Sequence, residues 1–331
     1  MNNDEIAALL KKYAAEVDEH IEKVLPKQDN IYGSYLNEPA WYYISAGGKR
    51  IRPTLCLLTA NALGISTEKA MPYAVATELV HNFLIIHDDI MDEDTLRRGQ
   101  PTIHVKYGLA NGINVGDYIL FKAYRSVFNS KFPKEVINKL IDIITLTCER
   151  TGEGQALDVN LRATEDFTVD KYLTIATLKT GYYLSFSIVG ACAMAGMSDS
   201  LIEKMWKNGS NMGAAFQIKD DIIDLTVGKG RQIGGEIRTG TPTILYARAL
   251  EVSTPAEKKK LVEITKKPKE ETTDEDVNWV IGLYNKYGVI NWCQNYASNL
   301  VKEAQQLLDE MPFEKKDVLK DIFRYMAERV V

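Results

Sequence analysis

Residues 75–94 read VATELVHNFLIIHDDIMDED, and this stretch decides the fold. Val75, Leu79, Phe83 and Ile86 recur at the spacing of one helix face. Upstream, Ser66 and Thr67 precede Glu68 and Lys69, a helix start. Downstream the apolar run meets an acidic cluster, in which five of the seven residues from 88 to 94 are Asp or Glu. On a helix Asp88 and Asp92 share a face about 5–6 Å apart and repel one another. Leu84 and Leu96 occupy the flanking i±4 positions, so no basic residue neutralises the pair there. One such cluster is compatible with a solvated helix end.

The chain repeats the pattern. Gln217–Asp224 reads QIKDDIID, with Asp220 lying 132 residues after Asp88, again in an apolar helical setting (Met212, Ala215, Phe216, Ile223). Two unneutralised carboxylate pairs are each costly inside a core. Facing one another across a cavity they form a cage for a hard divalent cation, and Mg²⁺ is commonly held by one or two carboxylates plus substrate phosphates.

The helical period extends beyond these stretches. Ile6, Leu9, Leu10, Tyr13, Val17, Ile21 and Val24 follow one helix face. Convincing period-two strands are missing, so an all-α chain of ten or more helices without a sheet is expected. The uncharged run Gly181–Ser198 is at the short limit for a membrane span and reads as a buried core helix. The glycine-rich stretch 228–240 reads as a loop, and the charged stretch 251–276, with Pro255 and Pro268, as a solvated connection with room for a short helix. Neither separates two self-sufficient cores. The 331 residues, 45% hydrophobic and 26% charged, are read as one large globular domain. A net charge of −5 gives no global basic field for nucleic acid. The first twenty residues carry charges throughout and do not read as a signal peptide, and four scattered cysteines (56, 148, 192 and 293) suit a reducing, cytoplasmic setting.

An anion must therefore be held by local clusters. Gly47-Gly48-Lys49-Arg50-Ile51-Arg52-Pro53 is a basic turn ahead of a helix; Arg97-Arg98 follows the first acidic cluster; Lys179-Thr180 precedes the uncharged run. Arg97 and Arg98 stand i+4 from Glu93 and Asp94 and could be ordinary helix salt bridges. Arg suits bidentate phosphate recognition and Lys acts as a point charge. Beside twin cation cages, these groups imply a diphosphate ligand.

The ordered set GGKRIRP, ELVHNFLIIHDDIMDEDTLRRGQPT, VGDYIL, LKTGYY and FQIKDDIID resembles the trans-prenyltransferase (polyprenyl synthetase) family, especially its archaeal-type geranylgeranyl diphosphate synthases, over nearly the whole chain, 1–331. The resemblance implies a single all-α bundle around a deep central cavity, usually a homodimer, using up to three Mg²⁺ per site. It implies Asp88, Asp92 and Asp220 as metal ligands with Asp224 assisting. It places isopentenyl diphosphate on Lys49, Arg52, His81 and Arg98, and the allylic diphosphate on Arg97, Lys179, Thr180, Gln217 and Arg231. Asp88, Asp92, Asp220 and Lys179 then carry catalysis, and Phe83, with Val80 below it, forms the floor that stops chain growth near C20.

The chain departs from the family pattern after the second motif. Arg231 stands for the first lysine there, Glu236 for an aspartate and Thr241 for the second lysine, with Arg238 the nearest substitute cation. C15 or C25 synthesis, terpene cyclisation and a non-catalytic subunit of a hetero-oligomeric synthase remain the alternatives.

Overall fold

The computed structural model describes residues 1–26, 30–161, 164, 166–226, 233–312 and 316–327. In chain order the helices are α1 (Asn3–Val24), α2 (Glu38–Ser45), α3 (Ile51–Ala62), α4 (Thr67–Met91), α5 (Ile103–Tyr107), α6 (Leu109–Phe128), α7 (Lys134–Asn160) and α8 (Val169–Ile175). There follow α9 (Tyr182–Met194), α10 (Asp199–Asp224), α11 (Gly235–Thr239), α12 (Ile244–Val252), α13 (Pro255–Thr265), α14 (Asp274–Lys286), α15 (Val289–Asp309) and α16 (Lys316–Ala327). The all-α expectation holds, with one small exception. Leu96–Arg97 (β1) and Gln100–Pro101 (β2) pair antiparallel, Leu96 opposite Pro101. Two residues per strand are too few to show a period in sequence.

The chain divides into two compact units. The first comprises Met1–Cys148, Phe186–Glu203 and Pro312–Asp321. Its centre is α4, whose Ser66 side chain caps the start by accepting from the Lys69 backbone N–H. The sequence marks one apolar face on this helix. The structure buries more of it: Ala70, Ala74, Val75, Ala76, Thr77, Glu78, Leu79 and Val80 are all inside. A helix enclosed on most sides is apolar nearly all round. Against it α6 presents Gly116, where a Cβ would fall 2.4 Å from Nε2 of His87 and would force that ring to move.

The second unit comprises Glu149–Ser185, Lys204–Met311 and Ile322–Val331. Its core joins α8, α10 and α12–α15 through Tyr172, Ile218, Ile244, Leu261, Val280 and Val289. The charged stretch 251–276 holds the short helix allowed for it, but is packed rather than merely solvated. It contains α13, opened by a Thr254–Glu257 capping box with Pro255 in the first turn, and it buries Leu261, Val262 and Ile264. Lysines and glutamates around a narrow apolar edge mask that helix in the sequence. Residues 228–232 of the glycine-rich stretch lie outside the described residues; the rest is no simple loop, since Gly235–Thr239 forms α11. The uncharged run is mostly α9, buried from Leu184 to Met194. Among the described residues no helix is long and apolar enough to cross a membrane.

Candidate active site

In the first unit, α4 delivers the first aspartate cluster at its C-terminus. The Asp92 N–H donates to the Asp88 carbonyl at 2.8 Å, so these two residues do stand one helical turn apart. A helix C-terminus carries partial negative charge and disfavours anions. The last turn of α4 nevertheless holds no basic residue. Leu96 lies beyond the helix, in β1.

Asp89 has a different task from its neighbours. It is buried, accepts from the Tyr43 hydroxyl at 2.6 Å and pairs with Arg97, whose Nε reaches Oδ1 at 2.7 Å. Burial pushes its carboxyl up, while Tyr43 and Arg97 hold it down. Arg97 also reaches Asp94 at 3.0 Å. The expected Arg97–Glu93 and Arg98–Asp94 helix pairs do not exist as such, because α4 ends at Met91 and Arg97 sits in the hairpin.

The basic turn lies in the same unit. Gly47, Gly48 and Arg50 have φ of 89°, 151° and 46° before α3 begins. Arg50 is buried and pairs with Glu78 at 2.9 Å and Asp18 at 2.8 Å. Arg98, also left-handed at φ 54°, brings Nη2 within 3.0 Å of where a Gly48 Cβ would stand. Arg52 is half-buried; burial pulls its guanidinium down to about 10, opposed by Glu78, and it stays cationic at neutral pH. Burial, then Arg52 and Arg98, push the His81 imidazole well below its usual range, so it is neutral. Arg52 and Arg98 thus lie close enough to His81 for their charges to act on it, and Lys49 is exposed on the adjoining turn.

The second unit carries the other half of the expected residues. A π-helical turn, Ala176–Gly181, presents Lys179 and Thr180. Such turns recur at functional sites. It packs against α7 at Gly154, where a Cβ would lie 2.5 Å from the Lys179 backbone nitrogen. Lys179 pairs with Asp158 at 2.8 Å, and the Thr180 hydroxyl donates to Gln217 at 3.3 Å. Gln217 in turn donates to Asp221 at 3.1 Å. Like α4, α10 ends in aspartates with no basic residue in its last turn. Asp221 is buried and its carboxyl is pushed up to about 7 by burial. Asp224 accepts from the Glu236 N–H at 3.1 Å, tying α11 to the end of α10. Burial and then Asp221, Asp224, Asp220 and Asp158 push the Glu236 carboxyl well up. Thr241 lines a small cleft with Asp221, Asp224 and Glu236. Four aspartates thus act on one glutamate here, although among the described residues no three such side chains stand close enough together to hold a metal ion.

Arg231 lies outside the described residues. Arg238 does not replace the missing lysine. It is buried and committed to the Thr272 carbonyl at 2.8 Å and to Asp274. The sequence by itself does not single out Glu78, Asp89 or Asp158. Glu78 and Asp89 are carboxylates buried on α4, a signal that burial alone reveals; Asp158 belongs to no motif. Of the floor residues, Phe83 is partly exposed and its ring meets His87 edge-on at 4.8 Å. Val80 is 0% exposed and so faces no water-sized space.

The comparisons with known proteins agree with one another. The family model described as Polyprenyl synthetase matches residues 33–283. The geranylgeranyl diphosphate synthase of Methanosarcina mazei is 32% identical over 329 residues, 97% of each chain. The geranylfarnesyl diphosphate synthase of Natronomonas pharaonis is 28% identical, covering 98% of each chain. Among solved structures, the geranylgeranyl pyrophosphate synthetase from Pyrococcus horikoshii Ot3 matches with a TM-score of 0.90 at 32% identity, over 99% of both chains.

Proposed function

This chain belongs to the polyprenyl synthetase family and is a trans-prenyltransferase, and from that premise we propose that it condenses isopentenyl diphosphate with allylic diphosphates, in a Mg²⁺-dependent 1′-4 reaction, to make mainly geranylgeranyl diphosphate. The observation that carries this reading is that α4 and α10 both end in Asp-Asp-x-x-Asp with no basic residue in the last turn. Asp88 and Asp92 on one helix, and Asp220 and Asp224 on the other, would hold the cations. Mg²⁺ bound there supplies neutralisation of the charge that grows on the departing diphosphate.

The remaining chemistry falls to the side chains. Lys179, Thr180 and Gln217 orient the allylic diphosphate, and Arg97 and Arg231 are the further cations assigned to it. Lys49, Arg52 and Arg98 hold isopentenyl diphosphate, and neutral His81 contributes a hydrogen bond rather than a charge. The allylic C–O bond breaks, leaving a delocalised cation that the double bond of isopentenyl diphosphate attacks. A proton then leaves to the released diphosphate. No nucleophilic side chain is required, and preorganised charge stabilisation is the main contribution of the protein.

The C20 reading is supported by the partly exposed Phe83 five residues before Asp88, with C25 the second reading because one relative is a geranylfarnesyl diphosphate synthase. A homodimer is supported by Leu109, Ile113, Phe121 and Phe128, which leave a large apolar surface exposed on one side of α6. A reducing, cytoplasmic setting is supported by four free cysteines, three of them buried. The test is product analysis after incubation with isopentenyl diphosphate, each allylic primer and Mg²⁺, with a chelator control. A C20 product lost on chelation is expected. No condensation with any primer would overturn the reading.

A further inference from the structure

Arg50 is the most firmly held cation of the basic turn, yet the diphosphate assignments leave it out. Its side chain is 2% exposed. Nε reaches Asp18 at 2.8 Å, Nη1 reaches Glu78 at 2.9 Å, and Nη2 donates to the Ile44 carbonyl at 2.9 Å. Its backbone is left-handed, φ 46° and ψ 40°, a conformation that glycine adopts without strain and arginine does not. The side chain must therefore be what the position needs. Arg50 also stands between Lys49 and Arg52, so its conformation sets where both project.

Glu78 is the other half of this device. It is 1% exposed on α4, and its Oε1 accepts from Arg50 and from Asn82 at 3.2 Å. Burying a carboxylate is costly unless cations surround it. Arg50 and Arg98 both come within 3.1 Å of the point a Gly48 Cβ would occupy, and the Glu78 charge is felt by Arg50, Arg52 and Arg98 alike. His81 lies one turn further along the same helix.

We propose that Glu78, acting through Arg50, is the positioning residue of the isopentenyl diphosphate subsite: it locks the strained turn that aims Lys49 and Arg52, and it offsets the mutual repulsion of the arginines before the substrate anion arrives. This rests on the substrate assignment proposed above. The allylic subsite, built on Lys179, Thr180 and Gln217, involves none of these contacts.

Glu78→Gln keeps the size and an acceptor oxygen and removes the charge. Steady-state rates should show KM for isopentenyl diphosphate raised ~10-fold or more, with kcat and the allylic KM changed by less than about threefold. Two further variants keep the proposal testable if that protein does not fold. Arg50→Lys keeps the charge without the fork and should shift the same KM in the same direction. Asp18→Asn removes only the outer partner, whose side chain is 51% exposed, and should shift it less. Equal changes in both KM values, tracking a fall in melting temperature, would mean a merely structural role and overturn the proposal. So would an unchanged KM for isopentenyl diphosphate in an active, folded Glu78→Gln, or in both other variants. Wild-type protein that fails to condense any primer would instead refute the substrate assignment itself.

Discussion

Asp88 and Asp89 are neighbours in one motif, and the structure separates their contributions to stability. Asp89→Ala leaves the buried Tyr43 hydroxyl without its acceptor, at about 1–3 kcal/mol. It also strips Arg97 of its principal partner. Breaking a fully buried pair costs about 3–5 kcal/mol. Arg97 is 29% exposed and retains Asp94, so its share is smaller. A total of about 2–4 kcal/mol follows, which corresponds to about 3–6 °C in a chain of this size. Asp88→Ala, in contrast, removes an anion from a helix C-terminus and relieves its repulsion with Asp92. Loss of Asp88 should cost less stability than the loss of Asp89. Turnover should nonetheless fall by orders of magnitude if the proposed metal ligand is lost. The assay is thermal unfolding by circular dichroism without divalent cation, alongside initial rates with saturating Mg²⁺. An Asp89→Ala protein that melts with the wild type, or an Asp88→Ala protein that is the less stable of the two, would refute the division of roles.

Three further outcomes are expected. Phe83→Ala should shift products to chains longer than C20 on chromatography of the dephosphorylated prenyl alcohols; an unchanged distribution places the floor on another helix. Thr241→Lys should lower the allylic KM several-fold while leaving that of isopentenyl diphosphate unchanged, whereas a raised allylic KM would show the new ammonium captured by Asp224 or Glu236 in the cleft they share. Glu257 is held down to about 2 by Lys286, then by Thr254 and Tyr287. A carboxyl whose folded pKa lies below its unfolded value of about 4.3 contributes stability above that pH and loses it as pH falls towards 2. Glu257→Gln should therefore flatten the dependence of melting temperature on pH between about 4.3 and 2, and an unaltered acid limb would contradict the assignment.

The all-α class, the helix start at Ser66 and the one-turn spacing of Asp88 and Asp92 were legible in the sequence, because each depends on residues within a few positions of one another. The motif set and its order likewise identified the family, since short segments of fixed spacing carry that information. Tertiary structure alone decided which polar residues of α4 turn inward. Nothing local distinguishes Asp89 from Asp88, or Glu78 from an exposed glutamate; Tyr43 on α2 and Arg50 ahead of α3 make the difference. The same holds for Arg238, whose charge reads as available until Thr272 and Asp274 engage it, and for α13, whose narrow buried edge vanishes among lysines and glutamates. A side chain's free energy depends on the groups brought against it from distant parts of the chain, and those distances exist only once the chain has packed.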